Sequence, residues 1–225
     1  MDELSAESLL QHLRAVEAER ARRAAEPGLE ARVQALKAWQ QRRFADTYAD
    51  LLANPRYAAA TRFFLQELYG PGDYRQRDAQ FARVIPTLTR LFPAEVVDTV
   101  ARLARLHALS ERLDTRMAEQ LASPDITPET YAAAWRACGE PEARQQQIEL
   151  TMAVGESLDR LTRKPLLRQS LKLMRGPAQV AGLGALQHFL ETGFDTFRAM
   201  GGARDFLATV QQREQALAQA LFAGS

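Results

Sequence analysis

Apolar residues recur along this chain at intervals of three and four, in stretches that proline and glycine separate. In residues 29–53, for example, Val33, Leu36, Phe44 and Leu51 lie near one face of a helix. Alanine, leucine, arginine, glutamate and glutamine, all strong helix formers, dominate these stretches. No run alternates apolar and polar residues for long enough to indicate a strand. The sequence therefore predicts an all-α fold.

The proline and glycine positions divide the chain into nine or ten predicted helices joined by short loops. Helices joined by short loops are expected to pack as neighbours in a bundle. With 225 residues the chain can bury a substantial core, and we predict a single domain over 1–225 with 123–128 as the one candidate boundary. The predicted helices are 4–25, 29–53, 56–69, one that follows Asp73, 94–122, 128–138, 141–162, 165–175, 177–200 and 202–222.

Charge and composition narrow the classes of partner. The formal net charge is +1, so no global field attracts nucleic acid or an anionic membrane. The one cysteine, Cys138, excludes an intramolecular disulfide and is typical of a reducing compartment. The first residues lack the basic and apolar blocks of a signal peptide, and no apolar run nears the roughly 20 residues that span a bilayer. We expect a cytoplasmic protein without membrane insertion.

The segment 63–78, FFLQELYGPGDYRQRD, places aromatic residues and charges around a tight turn. In one interpretation the aromatic side chains form the wall of a pocket and Arg75 or Arg77 binds an anionic group at its mouth. In the other, the aromatic residues belong to the core and the charges stabilise a corner between helices. The first interpretation gives five candidate ligand-binding residues, Phe64, Tyr69, Tyr74, Arg77 and His107.

The same segment resembles one found in a family of uncharacterised bacterial all-helical proteins, which carry a similar FFLxELYGPxD pattern followed by Arg-Asp. The likeness extends to Leu113-Asp114, to Arg175-Gly176-Pro177-Ala178 and to Phe189-Leu190-Glu191 with Phe194. The resemblance implies a helical cytoplasmic protein. It implies no activity, so no catalytic residue is assigned from it.

A polar track interrupts the apolar pattern of the helix 94–122, where His107, Ser110 and Asp114 fall near one face. A buried histidine beside carboxylates would have a perturbed pKa and could act as a base or a ligand. Three residues on successive turns of one helix cannot form a Ser-His-Asp triad. The core could equally face a competing seam, which consists of Leu106, Leu109, Leu113 and Met117.

Recognisable metal and cofactor motifs are absent from the sequence. A carboxylate di-iron bundle needs glutamate three residues before histidine, and none of the three histidines has one. A zinc site with several thiolates needs more than Cys138. No phosphate-binding loop, dinucleotide fingerprint or nucleophile elbow is present. We predict no metal and no cofactor.

A basic patch lies in 160–175 and is interrupted by Pro165. It could bind nucleic acid, phosphate or anionic lipid, or it could be the solvated face of an amphipathic helix. The near-neutral net charge and the absence of aromatic residues within it argue against nucleic acid. The patch consists of Arg160, Arg163, Lys164, Arg168, Lys172 and Arg175.

Three functions remain open after these exclusions. Because no catalytic motif is recognisable, the leading prediction is a non-catalytic interaction or regulatory module that acts through a protein partner or self-association. The second is a small-ligand-binding or sensor protein with a pocket near Phe63–Arg77. The third is an enzyme with an unrecognised site around His107.

Overall fold

The computed structural model describes residues 5–68 and 72–224, without the side chains of Glu67 and Leu68. These residues form eleven α-helices and no strand, which confirms the all-α prediction. Phe64–Leu68 continue the fourth helix as a π-helical turn. The helices are α1 Ala6–Ala25, α2 Leu29–Thr47, α3 Ala49–Ala53, α4 Ala58–Phe63, α5 Arg75–Leu91, α6 Ala94–Glu119, α7 Pro128–Cys138, α8 Pro141–Thr162, α9 Pro165–Val180, α10 Gly184–Ala199 and α11 Arg204–Ala223.

Proline and polar caps begin several of these helices. Proline occupies the first helical position of α7, α8 and α9, where its missing N–H costs no hydrogen bond. Ser5 accepts a hydrogen bond from the backbone N–H of Ser8 at the start of α1. Thr127 and Thr130 cap α7 reciprocally. Local sequence therefore accounts for these boundaries.

Two of the differences from the predicted helix boundaries change how the chain is divided into helices. The predicted helix 29–53 divides at Tyr48, whose backbone leaves the helical region at φ −114° and ψ 25°. The predicted boundary at Gly176-Pro177 is wrong, because α9 continues to Val180. Pro177 has no N–H to donate to the carbonyl of Leu173, four residues earlier. Leu173 is 78% exposed, so water can donate to that carbonyl instead. The break comes at Gly182, which adopts the left-handed φ of 69°.

The helix α6 is the longest, and it packs against α1, α2 and α8. The largest core cluster joins α2–α4 to α8, α10 and α11 through aromatic side chains such as Phe64, Phe197 and Phe206. A second cluster joins α2 and α6 to α7, so helices on either side of residues 123–128 share buried contacts. A third, smaller cluster joins α1 to α5.

One buried carboxylate connects three of these helices. Glu111 of α6 lies 2.6 Å from Nη1 of Arg23 in α1 and 2.5 Å from Nζ of Lys37 in α2. Arg23 also donates to the Glu111 carbonyl oxygen and to the Thr115 hydroxyl. Burial alone would raise the pKa of Glu111, but the charges of Lys37 and Arg23 outweigh it and lower the pKa to about 2.

We expect Glu111→Gln to lower the free energy of unfolding at neutral pH by on the order of 3 kcal/mol, since it leaves two buried cations without a counter-charge. The pKa of Glu111 falls on folding from its ordinary value of 4.5 to about 2. This stabilisation is therefore present above about pH 4.5 and is lost as the pH falls toward 2. Urea unfolding at several pH values measures the difference between wild type and variant, and a difference that stays constant across that window contradicts the assignment.

Candidate functional site

The helices form a cavity of about 160 Å³ that is partly open to solvent. It extends along α6 from Val100 to Asp114, with α5, α8 and α10 around it. Four aromatic side chains, here called the aromatic wall, line it beside several leucines. A group of buried and half-buried side chains with polar atoms, here called the Asp114 end, comes from α6, α7 and α8. The aromatic wall is Phe64, Tyr74, Phe81 and Phe189, and the Asp114 end is Asp114, Tyr131, Trp135, Arg144 and Gln147.

The polar track of α6 faces this cavity. His107, Ser110 and Asp114 all line it, at the spacing that places them on one helical face. Leu109 and Leu113 of the competing seam are also buried, with 9% and 0% of their surface exposed. Because α6 lies between other helices, both faces are covered. Leu106 of the competing seam also borders the cavity, whereas Leu109, Leu113 and Met117 do not line it.

Asp78 of α5 binds His107. The Oδ2 atom of Asp78 lies 2.9 Å from Nε2 of His107 and 2.5 Å from Nη2 of Arg20 in α1. Burial alone would raise the pKa of Asp78, but its bonds with His107 and Arg20 outweigh burial and lower the pKa. The carboxylate therefore holds the imidazole against one side of the cavity.

Arg77, which the sequence suggested as an anion binder, lies within the aromatic wall. Its guanidinium carbon is 4.2 Å from the centre of the Tyr74 ring and 4.5 Å from the centre of the Phe189 ring. Its Nε atom is 3.8 Å from Oδ1 of Asp78. The cation is stabilised by two ring faces and a nearby carboxylate.

Four of the five sequence-predicted ligand-binding residues, namely Phe64, Tyr74, Arg77 and His107, line the same cavity. The fifth, Tyr69, lies outside the described residues. Sequence reasoning missed the residues that come from distant helices. Lys37 and Gln40 carried a weak signal, since they fall at the helical spacing of the apolar residues Val33 and Phe44, whereas Arg144 and Gln147 carried none. The missed lining residues include Lys37, Gln40, Tyr131, Trp135, Arg144, Gln147 and Phe189.

Asp114 is buried like Glu111, but it has a neutral hydrogen-bond donor beside it where Glu111 has two cations. Its one hydrogen bond comes from Nε2 of Gln40 at 3.2 Å, and no described cation lies within 4.0 Å of it. Burial raises the pKa of Asp114, although Lys37 and Arg144 attract the charged form. The carboxyl group therefore favours its neutral acid more strongly than an exposed aspartate does.

Arg144 and Gln147 of α8 form a short chain of hydrogen bonds across the cavity. Nη1 of Arg144 donates to Oε1 of Gln147 at 3.1 Å, and Nε2 of Gln147 donates to Oγ of Ser110 at 2.8 Å. The Arg144 guanidinium also stacks on Trp135, with its carbon 4.1 Å from the ring centre. These contacts position the guanidinium at the Asp114 end.

The basic patch of 160–175 is largely neutralised. Five of its six cationic side chains lie within 4.0 Å of a carboxylate of this chain, so they leave little uncompensated charge for an anionic partner. This arrangement corresponds to the solvated-face interpretation. The pairs are Arg160 and Lys164 with Glu95, Arg163 with Asp159, Arg168 with Asp195, and Arg175 with Glu191.

Neither a metal cluster nor a membrane span occurs in the described ranges. No group of three or more histidine, cysteine, aspartate or glutamate side chains there is arranged to hold a metal ion. Among the described helices, none combines the length and the apolar composition that crossing a bilayer requires. His188, on α10, is exposed.

We expect Asp114→Asn to raise the free energy of unfolding at neutral pH, whereas Glu111→Gln lowers it. The pKa of Asp114 rises on folding above its ordinary value of 3.8, so this group's contribution to stability decreases as the pH rises above that value. The amide still accepts the Gln40 hydrogen bond and carries no charge to bury. Urea unfolding should show the variant and wild type converging near pH 3, and a variant less stable at neutral pH would disprove the assignment.

A family model described as a domain of unknown function (DUF8198) matches residues 19–225, and the chain therefore belongs to this family. The match accords with the resemblance to an uncharacterised family. No curated protein and no solved structure matches the chain.

Proposed function

We propose that this member of the DUF8198 family binds a small organic molecule in the cavity along α6. The observation that supports the proposal is the cavity itself. Protein interiors are close-packed, and voids larger than a water molecule are few. A volume of about 160 Å³ compares with the roughly 150 Å³ of an engineered apolar cavity that binds benzene in another protein.

The lining has the composition of a ligand site. Aromatic and aliphatic side chains make up half of the described residues that line the cavity, and the other half are polar or charged side chains that can orient a ligand. Phe64 and Phe189 face the same space as Asp114 and Gln147. A purely structural void would need no ionisable side chains around it, and burying them is costly.

Two contacts favour binding over catalysis. Nε2 of His107 is occupied by Asp78 at 2.9 Å. The hydroxyl of Ser110 accepts a hydrogen bond from Gln147, and no hydrogen bond joins it to His107. A nucleophile and a base within hydrogen-bond reach of each other are the usual sign of covalent catalysis. We therefore favour ligand binding over an enzyme with its site around His107.

Native mass spectrometry of protein purified without denaturation tests the proposal. We expect a mass above that of the polypeptide, and we expect Ala104→Leu to lower the occupancy of the retained molecule. Ala104 is 2% exposed and lines the cavity, so a larger side chain competes for the ligand's space. Overpacking of about 1–3 kcal/mol corresponds to a loss of affinity of about tenfold or more.

Ala108→Leu is the matched control, because Ala108 lies one turn later on α6 and outside the cavity lining. It should retain the molecule like wild type. The proposal fails if the native mass is that of the bare chain and no small ring compound, such as indole or benzoate, raises the melting temperature of wild type more than that of Ala104→Leu.

The exposed apolar face of α9 favours a second candidate, the interaction module, in the form of self-association. Leu173 is 78% exposed and Val180 is 93% exposed, and Leu166 and Met174 belong to the same helix. Contiguous apolar side chains on a protein surface commonly mark an interaction site.

We expect Leu173→Asp to convert a dimer into a monomer without lowering the melting temperature, because the introduced charge would have to be buried between the copies. Sedimentation velocity over a range of concentrations measures the change. Gln179→Asp, at an exposed polar position on another face of the same helix, is the control. A wild-type chain that sediments as a monomer throughout rules out self-association through α9.

A further inference from the structure

The Arg144 guanidinium is buried without a counter-charge. The residue is 5% exposed, and no carboxylate of the described residues lies within 4.0 Å of it. Its hydrogen bonds go to a neutral amide, that of Gln147, and to the sulfur of Met117 at 3.6 Å. A buried cation is costly unless an anion or several good acceptors compensate it. Among the described side chains, therefore, none forms an ion pair with this buried positive charge.

The other ionic groups of the cavity do not supply the missing charge. Four acidic side chains line the cavity, and three of them already bind cations of this chain. The fourth, Asp114, accepts a hydrogen bond from the Gln40 amide and forms no ion pair within 4.0 Å with any described cation, Arg144 included. The occupied pairs are Glu111 with Arg23 and Lys37, Glu214 with Arg43, and Asp78 with Arg20 and His107.

Hydrogen-bond donors also exceed acceptors at the Asp114 end. Within the described residues, the indole N–H of Trp135 and the hydroxyl of Tyr131 are buried without a hydrogen-bond partner. Tyr131 is 1% exposed, and both residues line the cavity. Indole and guanidinium can only donate hydrogen bonds. The group that completes this end is therefore an acceptor, and beside Arg144 an anionic acceptor is favoured.

The rest of the cavity limits what carries that acceptor. Apart from Arg77, which stacks on two of its rings, the aromatic wall with the neighbouring leucines presents hydrocarbon, and hydrocarbon cannot satisfy the other sides of an inorganic ion. The volume of about 160 Å³ accommodates about one ring or a short branched chain. Among the described cations that line the cavity, Arg144 is the one without a carboxylate within 4.0 Å, so a single acid group completes its pairing.

We infer that the ligand is a small organic monocarboxylate, with its acid group bound to Arg144 and its hydrocarbon part against the aromatic wall. The inference rests on the proposed function, since it specifies the chemical class of the molecule that the same cavity binds. The carboxylate oxygens accept from the guanidinium and are within the region that Trp135 and Tyr131 border. Trp135 then reports binding through its fluorescence.

Benzoate and benzamide provide the test, because they differ little in shape and only benzoate is charged at neutral pH. We expect wild type to bind benzoate about tenfold or more tightly than benzamide by calorimetry, as a charge-assisted hydrogen bond is worth about 1.5–3 kcal/mol. Arg144→Gln should weaken benzoate by about the same factor and leave benzamide nearly unchanged. The exposed Arg136 allows the matched control, Arg136→Gln, which should change neither affinity.

Equal affinity of wild type for the two compounds overturns the inference and leaves the proposed cavity function standing. A loss of both ligands in Arg144→Gln, with the variant folded, also overturns it. The wild-type comparison needs no variant, so it decides the matter even if Arg144→Gln fails to fold. If neither compound binds, the molecule retained in native mass spectra decides: a carboxylate supports the inference, and a neutral or cationic molecule overturns it. A bare polypeptide mass in that case overturns the inference if indole raises the melting temperature of wild type more than that of Ala104→Leu, and means that the proposed function itself is wrong if it does not.

Discussion

Glu111 binds a cation from each of two other helices, Arg23 of α1 and Lys37 of α2, at distances of 2.6 and 2.5 Å. A buried ion cluster adds little to stability over an apolar core of the same shape, but losing one partner is strongly destabilising. The cluster is complete only when the three helices have one relative placement, since Arg23 also bonds to the Glu111 carbonyl and Thr115. That placement turns the polar track of α6 toward the cavity.

Glu111 and Asp114 lie less than one helical turn apart on α6, yet folding shifts their pKa values in opposite directions. Both carboxyl groups are desolvated, which favours the neutral form. Two cations at contact distance reverse this effect for Glu111, whereas a single amide donor does not reverse it for Asp114. Glu111 therefore holds three helices together. Asp114 forms no ion pair, and Arg144 near it has no carboxylate partner among the described residues.

Local sequence patterns indicate part of this site. They do not indicate the residues that only packing between distant helices brings to it. Phe64, Tyr74 and Arg77 are close in sequence, and His107 was identified from its polar track on α6, so local patterns could point to them. Arg144 is a polar residue in a polar stretch of α8, and only packing against Trp135 shows that it is buried. The basic patch illustrates the converse, because a regular spacing of cations did not reveal the carboxylates on α6, α8 and α10 that neutralise them.

The sequence by itself determined the helical class, most helix boundaries and the polar face of α6, because helix formation depends on propensity, caps and periodicity within a few residues. The tertiary structure alone decided which faces meet. Arg23 and Glu111 are 88 residues apart, and Arg20 reaches Asp78 across 58. Periodicity states which residues share a face of one helix. It does not state which face of another helix lies opposite, and the cavity and its unpaired charge arise from those pairings.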